Sequence, residues 1–97
     1  MDLHCYLVTY DISCPKRWRK VFQTMHGFGE HVQLSVFRCD LTDTRHVRLR
    51  NALDRLIHHT EDQVLIVKLG RSTPDVIAGI EVLGRPRSFQ LPSPVVV

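Results

Sequence analysis

The sequence predicts an α+β sandwich, a sheet with helices laid against one face. Strand-like runs and stripes at helical spacing alternate along the chain in the order β-α-β(β)-α-β-β. Ninety-seven residues suffice for one hydrophobic core and not for two. A content of 43% hydrophobic and 24% charged residues is that of a folded domain rather than a disordered tail. With no repeat or low-complexity stretch, the expectation is one domain over residues 1–97, and a size at which association into oligomers helps to cover apolar surface.

His4 to Tyr10 is rich in β-branched and aromatic residues at both parities, as in a central strand covered on both faces. Pro15 is placed to open a helix, where its missing N–H costs nothing. Trp18, Val21, Phe22, Met25 and Phe28 then form an apolar stripe, ended by Gly27 and Gly29. Glu30 to Leu41 is extended but long for one strand, which predicts a bend or a break into two. Val32, Leu34, Val36 and Arg38 share one parity there, and Gln33, Ser35 and Phe37 the other. Thr42 caps a second helix with Asp43 in its first turn and a stripe of Leu49, Ala52, Leu53, Leu56 and Ile57. Asp62 to Leu69 reads as a strand, Gly70 to Pro74 as a turn, and Gly79 to Leu83 as a further short strand. Arg85 to Val97 is too apolar for a free tail and too proline-rich for a central strand, so an edge strand against a partner subunit is expected. This order points to a ferredoxin-like β-α-β-β-α-β sandwich with the C-terminal strand crossing to a dimer partner.

Charge is concentrated. The net value is +3, yet Lys16, Arg17, Arg19 and Lys20 supply four cations within five positions, and the remainder is slightly acidic. Such a patch attracts polyanions by counterion release. It also stands at the positive end of its own helix dipole, an unfavourable placement of about 0.3–1 kcal/mol per charge. Asp11 ends the first strand just before that helix, so an acid and four bases meet where a metal ion and phosphates can both be held. A plain reading competes with this one: Asp11 as a helix-start residue and the cations as a solvated face. Three cysteines, Cys5, Cys14 and Cys39, without paired spacing or a secretory signal, predict reduced thiols and a cytoplasmic location. No apolar run approaches the roughly 20 residues that cross a bilayer, so no membrane role is expected.

The string YLVTYDI, Tyr6 to Ile12, followed about eighteen residues after its aspartate by Gly29 to Phe37, GEHVQLSVF, resembles the small CRISPR-associated adaptation proteins. These are the non-integrase partners in spacer acquisition, a family of metal-dependent endoribonucleases. The resemblance extends through DQVLIVKL and GIEVLG and so covers nearly the whole chain. It implies that Asp11 is the metal-binding and catalytic aspartate, facing its twin across a dimer axis with Mg²⁺ or Mn²⁺ as cofactor. It places Ser35, Val36 and Phe37 near that axis, with Gln33 before them. By the same resemblance the last strands, carrying Phe89 and Leu91, join the partner. Implied partners are a second copy of the chain, an integrase, and RNA or DNA. Lys16, Arg17, Arg19, Lys20 and His31 are the expected nucleic-acid contacts. The chain departs from the pattern at Cys14-Pro15, where acids are usual, and at Trp18 and His31, where arginines are common. A non-catalytic DNA scaffold of the integration complex and a toxin-type ribonuclease are the alternatives.

Other residues carry weaker signals. Adjacent His58 and His59 point apart on a helix, and no histidine is spaced with the cysteines as a zinc site. Cys5 and Cys39 read as buried thiols, Trp18 as packing or a stacking platform, and Tyr10 as a proton-transfer group only if its pKa falls.

Overall fold

The computed structural model describes residues 2–89. Its elements are β1 (His4–Asp11), α1 (Pro15–His26), β2 (Glu30–Gln33), β3 (Val36–Leu41), α2 (Asp43–Leu56), β4 (Gln63–Arg71) and α3 (Pro74–Ala78). The four strands form one sheet in the order β2-β3-β1-β4 with every neighbouring pair antiparallel. Each of the two long helices joins strands separated by one other strand, which is the ferredoxin-like pattern of two interleaved split β-α-β units. The expected break in the long extended run falls at Leu34-Ser35, the tip of the β2–β3 hairpin, with Gln33 opposite Val36.

Strand alternation separates the two sheet faces. Tyr6, Val8 and Tyr10 of β1 join Phe37, Cys39 and Leu41 of β3 in a core closed by Val21 and Met25 of α1 and Leu49 and Leu53 of α2. Cys5, Leu7, Thr9 and Asp11 point to the face opposite α1 and α2, where Leu7 meets α3 and the residues after it. The helices begin as their sequences dictate. Pro15 opens α1 behind an extended Cys14, and the Thr42 hydroxyl accepts from the Arg45 amide at 3.2 Å to cap α2.

Three expectations are corrected. Gly79–Leu83 is not a strand. Thr73 accepts from the Val76 amide at 3.3 Å and Pro74 opens a short helix that ends at Ala78, and the residues after it, where an extended run was expected, continue as turn and irregular backbone. Phe37 does not face a partner: it is fully buried beneath α1, ringed by Phe22, His26 and His31. Parity correctly separated it from Val36, but its side of the sheet is the one the helices cover. Arg17 does not belong to the free cationic patch, as the site geometry makes clear. Residues 85–89 lie over the chain's own sheet, where Arg87 bonds the His31 carbonyl and the Phe89 ring stacks with Arg38 at 5.7 Å and Arg87 at 5.5 Å. Leu91 and the rest of the tail fall outside the described residues.

Gly29 joins α1 to β2 at the tightest approach made by any glycine among the described residues. A Cβ there would collide with the Arg38 carbonyl oxygen and sit 2.5 Å from Cys39 Sγ. Both are core atoms with nowhere to move, so Gly29→Ala should cost at least about 1–3 kcal/mol, read as a lower urea midpoint with an unchanged slope.

Candidate metal and nucleic-acid site

Asp11 closes β1 with its side chain exposed on the sheet face opposite α1 and α2, paired across the ladder with Gln63. Among the described residues it makes no ion pair or side-chain hydrogen bond, so its carboxylate is available. Beside it β4 presents an apolar strip, with Leu65 52%, Val67 45% and Leu69 36% exposed. An uncovered row of this kind on a sheet marks an interaction surface.

The loop that carries Asp11 into α1 is held by a residue that sequence reasoning took only as the start of a strand. Asp62 accepts from Arg17 Nε at 2.7 Å, from the Ser13 amide at 3.2 Å and from the His58 amide at 2.8 Å. Arg17 also reaches Glu61 at 3.2 Å. Its charge is thus spent on tying the start of α1 to the loop before β4, 45 residues away in sequence. No local spacing signals such a pair. The hydrogen bond from Arg17 holds the Asp62 carboxyl well below its ordinary value of 3.8, aided by the two amides. A folded-state pKa below the unfolded one means that the contribution is present above roughly pH 4 and is lost as pH falls through and below it. Asp62→Asn should therefore melt lower than wild type at pH 7 and lose less further stability between about pH 5 and pH 2.5. Parallel pH profiles for the two proteins would remove Asp62 from this role.

With Arg17 engaged, Lys16, Arg19 and Lys20 are the cations of α1 left exposed and, among the described residues, unpaired. Their spacing of three and four places them on one stripe of the helix. The opposite stripe packs: Trp18 stacks on Phe22 with ring centroids 5.0 Å apart and donates its Nε1–H to the Ser35 hydroxyl at 3.0 Å. The Ser35 carbonyl in turn accepts from the Tyr10 amide at 3.1 Å, so Ser35 ties the hairpin tip to β1 and α1. His31 is half-buried against Phe22 and Phe37, with ring centroids at 5.1 and 5.0 Å. Among the described residues the buried Tyr10 hydroxyl has no hydrogen-bond partner, and burial pushes its pKa up to about 12. It therefore keeps its proton and does not serve as the proton-transfer group considered from sequence.

A family model described as CRISPR associated protein Cas2 matches residues 4–74, which takes in β1, the basic helix, the hairpin, α2 and β4. The chain belongs to the Cas2 family. It is 48% identical over 82 residues to a protein named CRISPR-associated endoribonuclease Cas2 1 from Rhodospirillum rubrum, a match covering 84% of this chain and 79% of that one. It is 49% identical over 67 residues to CRISPR-associated endoribonuclease Cas2 from Geobacter sulfurreducens, covering 69% and 70%. The crystal structure of Streptococcus pyogenes Cas2 at pH 6.5 is similar at a TM-score of 0.73 and 30% identity, covering 82% of this chain and 99% of that one. The Cas2 match stops at the first residue of α3, so the segment folded over the sheet lies beyond it. Among the described residues no helix is long and apolar enough to cross a membrane.

The donor set in one chain tests whether a divalent ion fits. Among the described residues no three His, Cys, Asp or Glu side chains gather as a metal site. Asp11 alone is a poor host for Mg²⁺, which prefers six oxygens and keeps some as water. A second Asp11, with water and phosphate oxygens, would supply the further oxygens that such an ion needs.

Proposed function

We propose that this Cas2 chain acts as a homodimeric, metal-dependent endonuclease of CRISPR adaptation, with Asp11 as metal-binding and catalytic carboxylate. The supporting observation is the place of Asp11, an unengaged acid at a strand end beside the apolar strip of β4. Two such strips joined about a two-fold axis would bury their leucines and valine and bring two Asp11 carboxylates together. Ser35 at the hairpin tip and the tail, with Phe89 and Leu91, would complete the interface. The two Asp11 carboxylates would hold Mg²⁺ or Mn²⁺ there, and the ion would supply an activated water and offset charge on the phosphate. Lys16, Arg19 and Lys20 hold the polynucleotide by its phosphates, with His31 at the edge of the same region. Phosphate contacts position a polymer without reading its bases, so little sequence preference is expected. Names of the relatives make RNA the first substrate to test, with duplex DNA beside it. The reading also places the protein in the cytoplasm, bridging subunits of an integrase.

The test joins oligomeric state to cleavage. Sedimentation should give a dimer, and cleavage of labelled RNA or DNA should need Mg²⁺ and stop with EDTA. A monomer that cleaves equally well in EDTA would overturn it. One observation favours a second reading, a scaffold that holds DNA for the integrase: each chain offers a single carboxylate, and its nearest buried phenol is locked in its protonated form. Integration by the partner enzyme, undiminished with Asp11→Asn, would select the scaffold.

A further inference from the structure

A second group of cations lies far from Asp11. The sheet's edge strand β4 and helix α2 enclose an open pocket of about 300 Å³, lined by Tyr6, Asp43, His46, Arg50, Ile66 and Lys68. Asp43, His46 and Arg50 recur at spacings of three and four and so share one face of α2. Lys68 comes from the opposite wall, directly across the ladder from Tyr6. Tyr6 and Ile66 form the floor, and the His46 ring stacks on Tyr6 with centroids 4.7 Å apart and 18° between planes.

The cations of this pocket differ from most other arginines in the fold. Arg17, Arg38, Arg71 and Arg87 are ion-paired, and Arg45 is bonded to the Gly27 carbonyl and laid over Phe28. Among the described residues Arg50 and Lys68 have no such partner, although Asp43 shares the pocket. Two unpaired cations from different elements converge on one concavity, and against Asp43 they leave it one positive charge in excess. Burial, with Asp43 adding to it, raises the Tyr6 pKa, so its hydroxyl keeps a proton to donate.

We propose that this pocket is a second phosphate site, in which Arg50 and Lys68 grip the backbone of a bound polynucleotide away from the reacting bond. The proposal rests on the nucleic-acid reading above but not on cleavage. Tyr6 and Asp11 are five residues apart on β1, about 16 Å at ~3.3 Å per residue, and they point to opposite sheet faces. One phosphate cannot touch both. The strand must pass around the β4 edge, which makes the contribution length-dependent.

Fluorescence anisotropy with labelled 30-nucleotide RNA and 30-base-pair DNA, across a salt series and without Mg²⁺, tests it. Arg50→Ala and Lys68→Ala should each weaken binding at least about fivefold, and together they should flatten the slope of log affinity against log salt by about 1.4–1.8. Arg48→Ala, which removes an exposed cation of α2 outside the pocket, should change affinity less than about twofold and serves as the charge-matched control. A 6-nucleotide RNA should not distinguish the variants from wild type. The assay reads binding without Mg²⁺, where no metal-dependent cleavage takes place, so failure of the nuclease reading leaves this result intact. An unchanged slope in the double variant, or an equal loss with Arg48→Ala, would overturn the proposal. So would NMR shifts at Arg50 and Lys68 on adding inorganic phosphate if polynucleotide affinity stays the same, since the pocket would then serve a small anion.

Discussion

Asp11→Asn should abolish Mg²⁺-dependent phosphodiester cleavage while leaving the dimer and the melting temperature unchanged. Loss of a group that merely orients a metal ligand typically costs 10–100-fold, so loss of the ligand itself should cost about a hundredfold or more. Asparagine keeps the shape of the side chain and removes its charge. The side chain is exposed and, among the described residues, holds nothing else in place, so structural damage is not a competing explanation. If the acids of two chains share one ion, the defect extends to mixed dimers. Wild type mixed with an excess of variant should then lose activity nearly in proportion to the wild-type homodimers lost. Half activity in mixed dimers would mean that each Asp11 works alone, and full activity of the pure variant would take Asp11 out of the chemistry.

The largest loss of stability is expected at Phe37. The ring is fully buried and meets Phe22, His26 and His31 with centroids between 5.0 and 5.7 Å away, with Tyr10 at 6.4 Å. Phe37→Ala should cost about 3–5 kcal/mol through lost burial and the cavity left behind. A domain of this size has about 5–15 kcal/mol in total. At roughly 4–8 °C per kcal/mol, its melting temperature should fall by more than about 10 °C. Phe37→Leu keeps most of the volume and should recover much of that loss. A variant that melts like wild type but sediments as a monomer would instead put Phe37 at the dimer interface, where the sequence first suggested it.

The two residues show where local reading ends. Alternation in Val36-Phe37-Arg38 established that neighbours point oppositely, and parity cannot say which side carries helices. Here the first helix covers the Phe37 side. The same limit applies to Arg38, which shares a parity with Val32 and Val36. It is 3% exposed on the face opposite α1 and α2, where the Phe89 ring lies against it and Glu30 at 2.7 Å and Asp40 at 3.0 Å satisfy its guanidinium. The missed α3 has a different cause. Thr73-Pro74-Asp75 is a helix-start signal whose first two residues were absorbed into a turn, which left Val76 to Ala78 unassigned between that turn and the strand expected at Gly79–Leu83.

The amino-acid sequence by itself determined the alternation of elements, the position of each long helix, the placement of an acid beside a basic helix start, and the family. All of these are written in neighbours within about one turn or one strand of each other. Only the tertiary structure decided which cations are free. Arg17 is spent on Asp62 and Glu61 across 44 or 45 residues, while Arg50 and Lys68, on separate elements, come to share one pocket. Charge pairing depends on distance in space, and packing of the helices on the sheet sets those distances in a way that no local spacing records.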